Sequence, residues 1–190
     1  MKIISIDPTQ LSDYTRVPIT FEVRTVFALE LSENGLGGIH FLEQAVSNPY
    51  LKDYDQLGSP LTWPVEFDLR NWGLFLAVED AQPVGGAAVA WNTNGVNLLE
   101  GRSDLAVLWD IRVLPGRRSQ GVGRQLFQHV CDWAKSRGCV QLKIETQNIN
   151  VSACRFYAAM GAQLGDIRRF AYRSEPAVAH EVQLNWYLEL

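Results

Sequence analysis

Residues 105–124 have the sequence LAVLWDIRVLPGRRSQGVGR. The first nine are apolar except for Asp110 and Arg112, which predicts a central strand of a sheet. A polar loop follows, and an amphipathic helix is predicted from Gly121 onward. A strand, a short glycine-containing loop and a helix form an arrangement that binds pyrophosphate. Its glycines let main-chain N–H groups approach the oxygens, and the first helical turn leaves N–H groups unpaired.

The loop is also rich in arginine. Arg117, Arg118 and Arg124 can pair with phosphate groups. The stretch lacks the Gly-Lys-Ser/Thr of a P-loop and the third glycine of a dinucleotide fingerprint, which argues against both of those nucleotide sites. A tight turn followed by a capped helix is the alternative, purely structural interpretation of the same residues.

The second half of the chain alternates between helix and strand patterns. Gly138 is placed to end the first helix, and Asn150 and Gly161 are placed to begin and end the next one. The further predicted elements are a strand over 140–145, a helix over 151–160 and closing strands over 164–172 and 182–188. This order predicts an α/β (α+β) fold in which helices flank a mixed sheet.

The first half gives a less regular pattern. The predicted elements are a strand over 20–31, a helix over 39–46 that Asn48-Pro49 stops, and a hairpin of strands over 74–78 and 84–91. Residues 49–72 combine three prolines with five tyrosine, tryptophan and phenylalanine residues. We expect an irregular segment that is either a loop pinned to the core or a wall of a substrate pocket.

Composition excludes several classes of protein. Hydrophobic residues make up 47% and charged residues 20% of 190 residues, which is typical of one globular domain. The chain has no apolar run of about 18 residues and no signal-peptide core, so we expect a cytoplasmic protein without a membrane partner. A net charge of −4 argues against nucleic acid as a partner. The three cysteines and three histidines are scattered, so we expect reduced thiols and no metal site.

Two motifs together resemble a known family. Arg118-x-x-Gly121-x-Gly123 resembles the coenzyme A motif of the GCN5-related N-acetyltransferases (GNAT). Asn150-Val151-Ser152-Ala153-Cys154-Arg155-Phe156-Tyr157 resembles the family's Asn-x-x-Ala-x-x-x-Tyr helix, and Met160-Gly161-Ala162 resembles the tripeptide that follows it. The resemblance implies a single N-acetyltransferase domain over 1–190, with a mixed, splayed sheet flanked by helices. It also implies acetyl-CoA as cosubstrate, bound between two strands.

Within that family, the chain is similar to the streptothricin acetyltransferases. Residues 145–154 (ETQNINVSAC) look like their Glu-Thr-Gln-Asp-Ile-Asn-Ile-Ser-Ala-Cys, and residues 181–187 look like their closing strand. The chain departs from them in an apparent insertion over 95–104 and at Trp109, where those relatives usually carry Glu. This likeness implies a small-molecule amine acceptor and a role in antibiotic resistance.

The resemblance and the chemistry of the reaction together predict the site. An aliphatic amine is only about 0.04% neutral at pH 7, so a carboxylate must help remove its proton, and Asp110 and Glu145 are the two candidates. The N–H of Val113 is the candidate donor to the thioester oxygen. Tyr157 is the candidate acid for the departing thiolate. The predicted acetyl-CoA contacts are Ile111, Val113, Arg118, Ser119, Gln120, Gly121, Val122, Gly123, Arg124, Asn150 and Ala153.

Each of these side chains also has a purely structural interpretation. Asp110 could be a buried carboxylate satisfied by Arg112, Glu145 a solvated strand residue, Tyr157 a core residue and Asn150 only a helix cap. Two other functions stay open from the sequence: acetylation of a protein lysine or amino terminus, and a non-catalytic acyl-CoA-binding module. Exposed strand edges near the C-terminus are compatible with a homodimer.

Overall fold

The computed structural model describes all 190 residues, Met1–Leu190. The strands are β1 (Lys2–Ser5), β2 (Phe21–Leu31), β3 (Ile39–Lys52), β4 (Gly73–Glu79), β5 (Gln82–Trp91), β6 (Leu105–Val113), β7 (Gln141–Gln147), β8 (Gln163–Arg168) and β9 (Gln183–Glu189). The helices are α1 (Leu11–Tyr14), α2 (Trp63–Glu66), α3 (Val122–Ser136) and α4 (Val151–Ala159). The chain forms two compact units, one of residues 1–20, 53–144 and 187–190 and one of residues 21–52 and 145–186.

The first unit is built on a sheet with the strand order β1-β4-β5-β6-β7-β9. The β1–β4, β4–β5 and β5–β6 pairs are antiparallel, whereas β6 and β7 are parallel. The predicted hairpin is confirmed: β4 and β5 are joined through Asp80 and Ala81, both at positive φ, as the tight turns that match strand twist require. Helix α3 covers one face of this sheet, where Phe75 contacts the ring of His129.

The other face of the first sheet carries an aromatic core. The ring of Tyr14 packs on Trp63 at 5.6 Å, and Trp63 lies 5.9 Å from Trp72. All three side chains are buried. Trp63 and Trp72 belong to the irregular segment, whose residues 53–72 form 3-10 turns and the short α2. The expectation of a loop pinned to the core is therefore confirmed for this part of the segment.

The second unit contains the long β2–β3 hairpin, helix α4 and strands in the order β7-β9-β8. The helix predicted over 39–46 is wrong, because these residues belong to β3 and pair with β2 from Leu31↔Ile39 to Thr25↔Ala45. The apolar spacing fitted a helix, but an 11-residue partner strand supplies main-chain hydrogen bonds that no local pattern reveals. Pro49 lies within a bulge of β3, where the residue has no partner on β2, so its missing N–H removes no hydrogen bond from the ladder.

Both predicted helices of the second half are confirmed. Helix α3 ends in a Schellman motif, in which the N–H of Gly138 bonds to Lys135 O and that of Cys139 to Ala134 O. Helix α4 ends in the same way at Gly161, and both glycines have positive φ. No helix in the protein has the length and apolar character needed to cross a bilayer.

Gly86 of β5 provides a test of this packing. A Cβ added at Gly86 would lie 2.6 Å from the Tyr14 ring, which is fully buried. We expect Gly86→Ala to lower the free energy of unfolding by about 1–3 kcal/mol, because the ring has no space into which to move. Urea denaturation measures this change. Gly58→Ala is the control, since no atom lies within 4 Å of its added Cβ; equal stability of the two variants would contradict the packing described.

Candidate active site

Strand β6 contains a bulge at its centre. Ala88 of β5 pairs with Asp110, but the next residue, Val89, pairs with Leu108, so Trp109 is an extra residue in β6. The ring of Trp109 packs 5.1 Å from Phe67 within the aromatic core. The bulge therefore anchors Trp109, the residue at which the chain departs from the streptothricin acetyltransferase pattern, in the core of the first unit.

One edge of β6 is open beyond the bulge. The β6–β7 pairing ends at Leu108↔Ile144, and residues 110–113 pair with β5 alone. The N–H of Leu114 bonds to Val84 O, so the alternation of an antiparallel ladder directs the main-chain groups of Ile111 and Val113 away from β5. The N–H groups of two predicted contact residues thus lie on a free strand edge.

The arginine-rich loop is fixed by its own side chains. Arg118 donates from Nε to Val113 O at 3.1 Å and from Nη2 to Thr20 O at 2.6 Å, and burial lowers the pKa of its guanidinium. Arg117 pairs with Glu79. We expected three arginines to pair with phosphates, but two of them are bonded within the protein. The side chain of Arg124, on the first turn of α3, forms neither an ion pair nor a hydrogen bond within the protein.

The start of α3 is uncapped by any side chain. Gly121 is the N-cap residue, with φ +86° in the left-handed region, and Ser119 also has positive φ. These two turns bring the chain from the loop into the helix, and Gly121 O accepts from the N–H of Gln125. The first-turn N–H groups of Val122 and Gly123 therefore have no side-chain acceptor and are free to bind an anion.

Asp110 belongs to a buried ion-pair network, in which the pair with Arg112 confirms its structural interpretation, whereas Tyr14 and Asp55 were not predicted from the sequence. Arg112 donates to Asp110 at 2.7 and 2.9 Å and to Asp55 at 2.9 Å through both terminal nitrogens. Tyr14 donates its hydroxyl to Asp110 Oδ1 at 2.6 Å. Burial lowers the pKa of Arg112, but the charge of Asp110 and its hydrogen bonds outweigh this and raise it. Both oxygens of Asp110 are thus occupied, and Asp110 shares the guanidinium of Arg112 with Asp55.

Glu145 of the second unit has different surroundings. Its Oε1 accepts from the Tyr172 hydroxyl at 2.5 Å and from Gln147 Nε2 at 3.3 Å. Both donors are neutral, and no lysine or arginine pairs with the carboxylate. Tyr172 was not singled out in the sequence, because it lies 27 positions from Glu145 and no local pattern connects the two residues.

Helix α4 carries the remaining predicted residues. Asn150 Oδ1 caps the helix by accepting from the N–H of Ala153 at 3.1 Å, so the predicted helix cap is confirmed. Tyr157 is buried, with 5% of its surface exposed. Burial raises the pKa of the neighbouring Cys154 thiol to about 12, which argues against a nucleophilic cysteine.

Comparison with known proteins identifies the family. The model of the acetyltransferase (GNAT) family matches residues 39–162, which include the open edge of β6, the start of α3 and the whole of α4. The chain belongs to the GNAT acetyltransferase family.

Individual relatives extend the match over the whole chain. Streptothricin acetyltransferase of Escherichia coli is 32% identical over 186 residues, covering 97% of this chain and 94% of the relative. Streptothricin acetyltransferase A of Bacillus subtilis (strain 168) is 31% identical over 82% of this chain and 81% of its own length. A Bacillus anthracis protein provisionally assigned as a streptothricin acetyltransferase and crystallised with acetyl-CoA superposes with a TM-score of 0.75. It is 26% identical and covers 100% of this chain and 97% of that chain.

This protein is therefore an acetyl-CoA-dependent N-acetyltransferase with a GNAT fold. Its first unit suits the cosubstrate. The uncapped N–H groups at the start of α3 and the charge of Arg124 match a diphosphate, and the free edge of β6 offers N–H donors to an extended amide-containing arm.

The buried network around Arg112 predicts a large loss of stability when this arginine is replaced. Only 1% of the Arg112 side chain and 7% of the Asp110 side chain are exposed. We expect Arg112→Met to lower the free energy of unfolding by about 3–5 kcal/mol, because it leaves a buried carboxylate without its partner. In the Arg112→Met variant, the second substitution Asp110→Asn should restore part of the lost free energy of unfolding. Urea denaturation measures both changes. Arg70→Met, which breaks an exposed pair with Asp68, is the control and should have little effect.

Proposed function

We propose that this enzyme transfers the acetyl group to an amine of a streptothricin-like small molecule in the cytoplasm, and that the reaction confers antibiotic resistance. The main support is the match to the Escherichia coli streptothricin acetyltransferase over nearly the full length of both chains. The three buried, unpaired cysteines are compatible with a reducing compartment.

The proposed acetyl-CoA contacts use the two sets of unpaired N–H groups in the first unit. The main chain over 119–123 and the side chain of Arg124 bind the diphosphate, while Arg118 keeps the loop in place through its bonds to Val113 O and Thr20 O. The N–H groups of Ile111 and Val113 bind the acyl arm, and that of Val113 stabilises the oxyanion. Asn150 and Ala153 of α4 are the remaining proposed contacts of the arm. Acetyl-CoA itself supplies the activated thioester.

We assign the proton-accepting role to Glu145 in preference to Asp110. Arg112 and Tyr14 occupy both oxygens of Asp110, so neither oxygen is open to an ammonium group. Glu145 accepts only from neutral donors, and no cationic side chain of the protein offsets the charge of its carboxylate. A carboxylate with this charge attracts the protonated acceptor and, directly or through water, removes its proton. Tyr157 then protonates the departing thiolate.

The anion site at the start of α3 can be tested by removing its charge. We expect Arg124→Ala to weaken acetyl-CoA binding about tenfold, because one charge-assisted contact to phosphate is lost. Isothermal titration calorimetry measures the affinity. Lys135→Ala removes an exposed charge near the other end of the same helix and should leave the affinity unchanged. Equal effects of the two substitutions would show that net charge, and not this site, controls binding.

The acceptor class can be tested by thiol release from acetyl-CoA with streptothricin, a polyamine and a lysine-containing peptide. We expect turnover with streptothricin at the lowest KM. Glu145→Gln should lower kcat by about 100-fold, in the range for a lost general base, while acetyl-CoA affinity stays unchanged.

Asp110→Asn is the matched control for the second carboxylate. It should lower the free energy of unfolding and have only a small effect on kcat, because Asp110 is bonded to Arg112 and Tyr14. Turnover of the peptide alone would instead identify a protein acetyltransferase. Unchanged kcat in Glu145→Gln together with a 100-fold loss in Asp110→Asn would reverse the assignment of the base.

A further inference from the structure

Tyr172 closes a triangle of hydrogen bonds around Glu145. It lies in the turns between β8 and β9, and its hydroxyl donates to Glu145 Oε1 at 2.5 Å. Gln147, two residues beyond Glu145 on β7, donates from the same amide nitrogen to the Tyr172 oxygen at 2.9 Å and to Glu145 Oε1 at 3.3 Å. The three side chains therefore fix one another, although Tyr172 comes from a distant part of the sequence.

The triangle uses only one of the two carboxylate oxygens. Both donors are directed at Oε1, and Oε2 of Glu145 receives no hydrogen bond from the protein. The contrast with Asp110 is direct, because there Arg112 and Tyr14 together occupy both oxygens. At Glu145 the protein fixes the orientation of the carboxylate and leaves one oxygen for another partner.

The hydroxyl of Tyr172 is a stable hydrogen-bond donor to Glu145. Burial raises the pKa of its hydroxyl, and the negative charge of Glu145 and that of the nearby Glu181 raise it further, so the group stays protonated and donates. Glu181 is itself paired with Lys52 at 2.6 Å. The Tyr172 hydroxyl therefore stays protonated, and able to donate, beyond the pH at which an ordinary tyrosine ionises.

We propose that Tyr172 is a positioning residue of the transfer reaction, which holds Glu145 through Oε1 so that Oε2 receives the acceptor amine. The inference rests on the role proposed above for Glu145. Tyr172 touches neither substrate in this scheme. It stabilises the anion by one hydrogen bond and leaves its charge intact, so the amine still finds a full negative charge at Oε2.

A double-mutant cycle tests this inference on the full-length enzyme, with streptothricin as acceptor. We expect Tyr172→Phe, which removes only the hydroxyl, to lower kcat by roughly tenfold and to leave acetyl-CoA affinity unchanged. In the Glu145→Gln background the same substitution should have no further effect, because Tyr172 acts only through the carboxylate. Gln147→Met, which removes the amide that holds the tyrosine oxygen, should lower kcat in the same direction by a smaller factor.

Two controls separate positioning from folding. Tyr187→Phe removes a comparable hydroxyl–carboxylate bond, to Glu100 at 2.9 Å in the first unit, and should leave kcat unchanged. Thermal unfolding of each variant reports whether the fold is kept, and Gln147→Met tests the triangle by a second route if Tyr172→Phe is unstable.

The outcomes distinguish this inference from the proposed function. Wild-type kcat in Tyr172→Phe, or the same tenfold loss in the Glu145→Gln background, would overturn the positioning role while Glu145 keeps its own. Wild-type kcat in Glu145→Gln would overturn the role of Glu145 and the inference with it. A loss in Tyr172→Phe that disappears in the Glu145→Gln background would support both.

Discussion

The main-chain hydrogen bonds of β6 are the constraint on which the site depends. Every buried N–H and C=O must find a partner, and β5 provides one only for alternate residues. The parallel neighbour β7 stops pairing at Leu108↔Ile144, so the N–H groups of Ile111 and Val113 are left on a free edge. The uncapped first turn of α3 leaves a second set of donors at the end of the same loop. Both sets stay available to a ligand because no other part of the first unit bonds to them.

The position of these donors is maintained by groups that bind no ligand themselves. Trp109 is anchored in the aromatic core, and the bulge places Asp110 beside it, where Tyr14 and Arg112 occupy its carboxylate. Arg118 joins the end of β6 to Thr20. Two of the three arginines of this loop are bonded within the protein, so the proposed anion site depends mainly on the main chain and the helix end.

The sequence predicted the elements whose signals are local. The ends of α3 and α4 follow from Gly138, Asn150 and Gly161, since each residue acts within one helical turn. Features that depend on distant partners could not be predicted. Residues 39–46 pair with β2 despite helical spacing, and Asp110 is bonded to Tyr14, 96 positions away. The two carboxylates could not be ranked, because their difference lies in the charge of their donors and not in their own sequence context.

The proposed division of tasks between the two carboxylates rests on that difference in donors. An arginine beside a carboxylate stabilises the fold, but it cancels the charge that an ammonium group would need. Tyrosine and glutamine fix Glu145 by hydrogen bonds that leave its charge in place. A lysine at position 172 would form a stronger pair with Glu145 and would compete with the acceptor for it. A neutral hydroxyl whose pKa is raised by burial is therefore the better partner for a carboxylate that must still attract a cation.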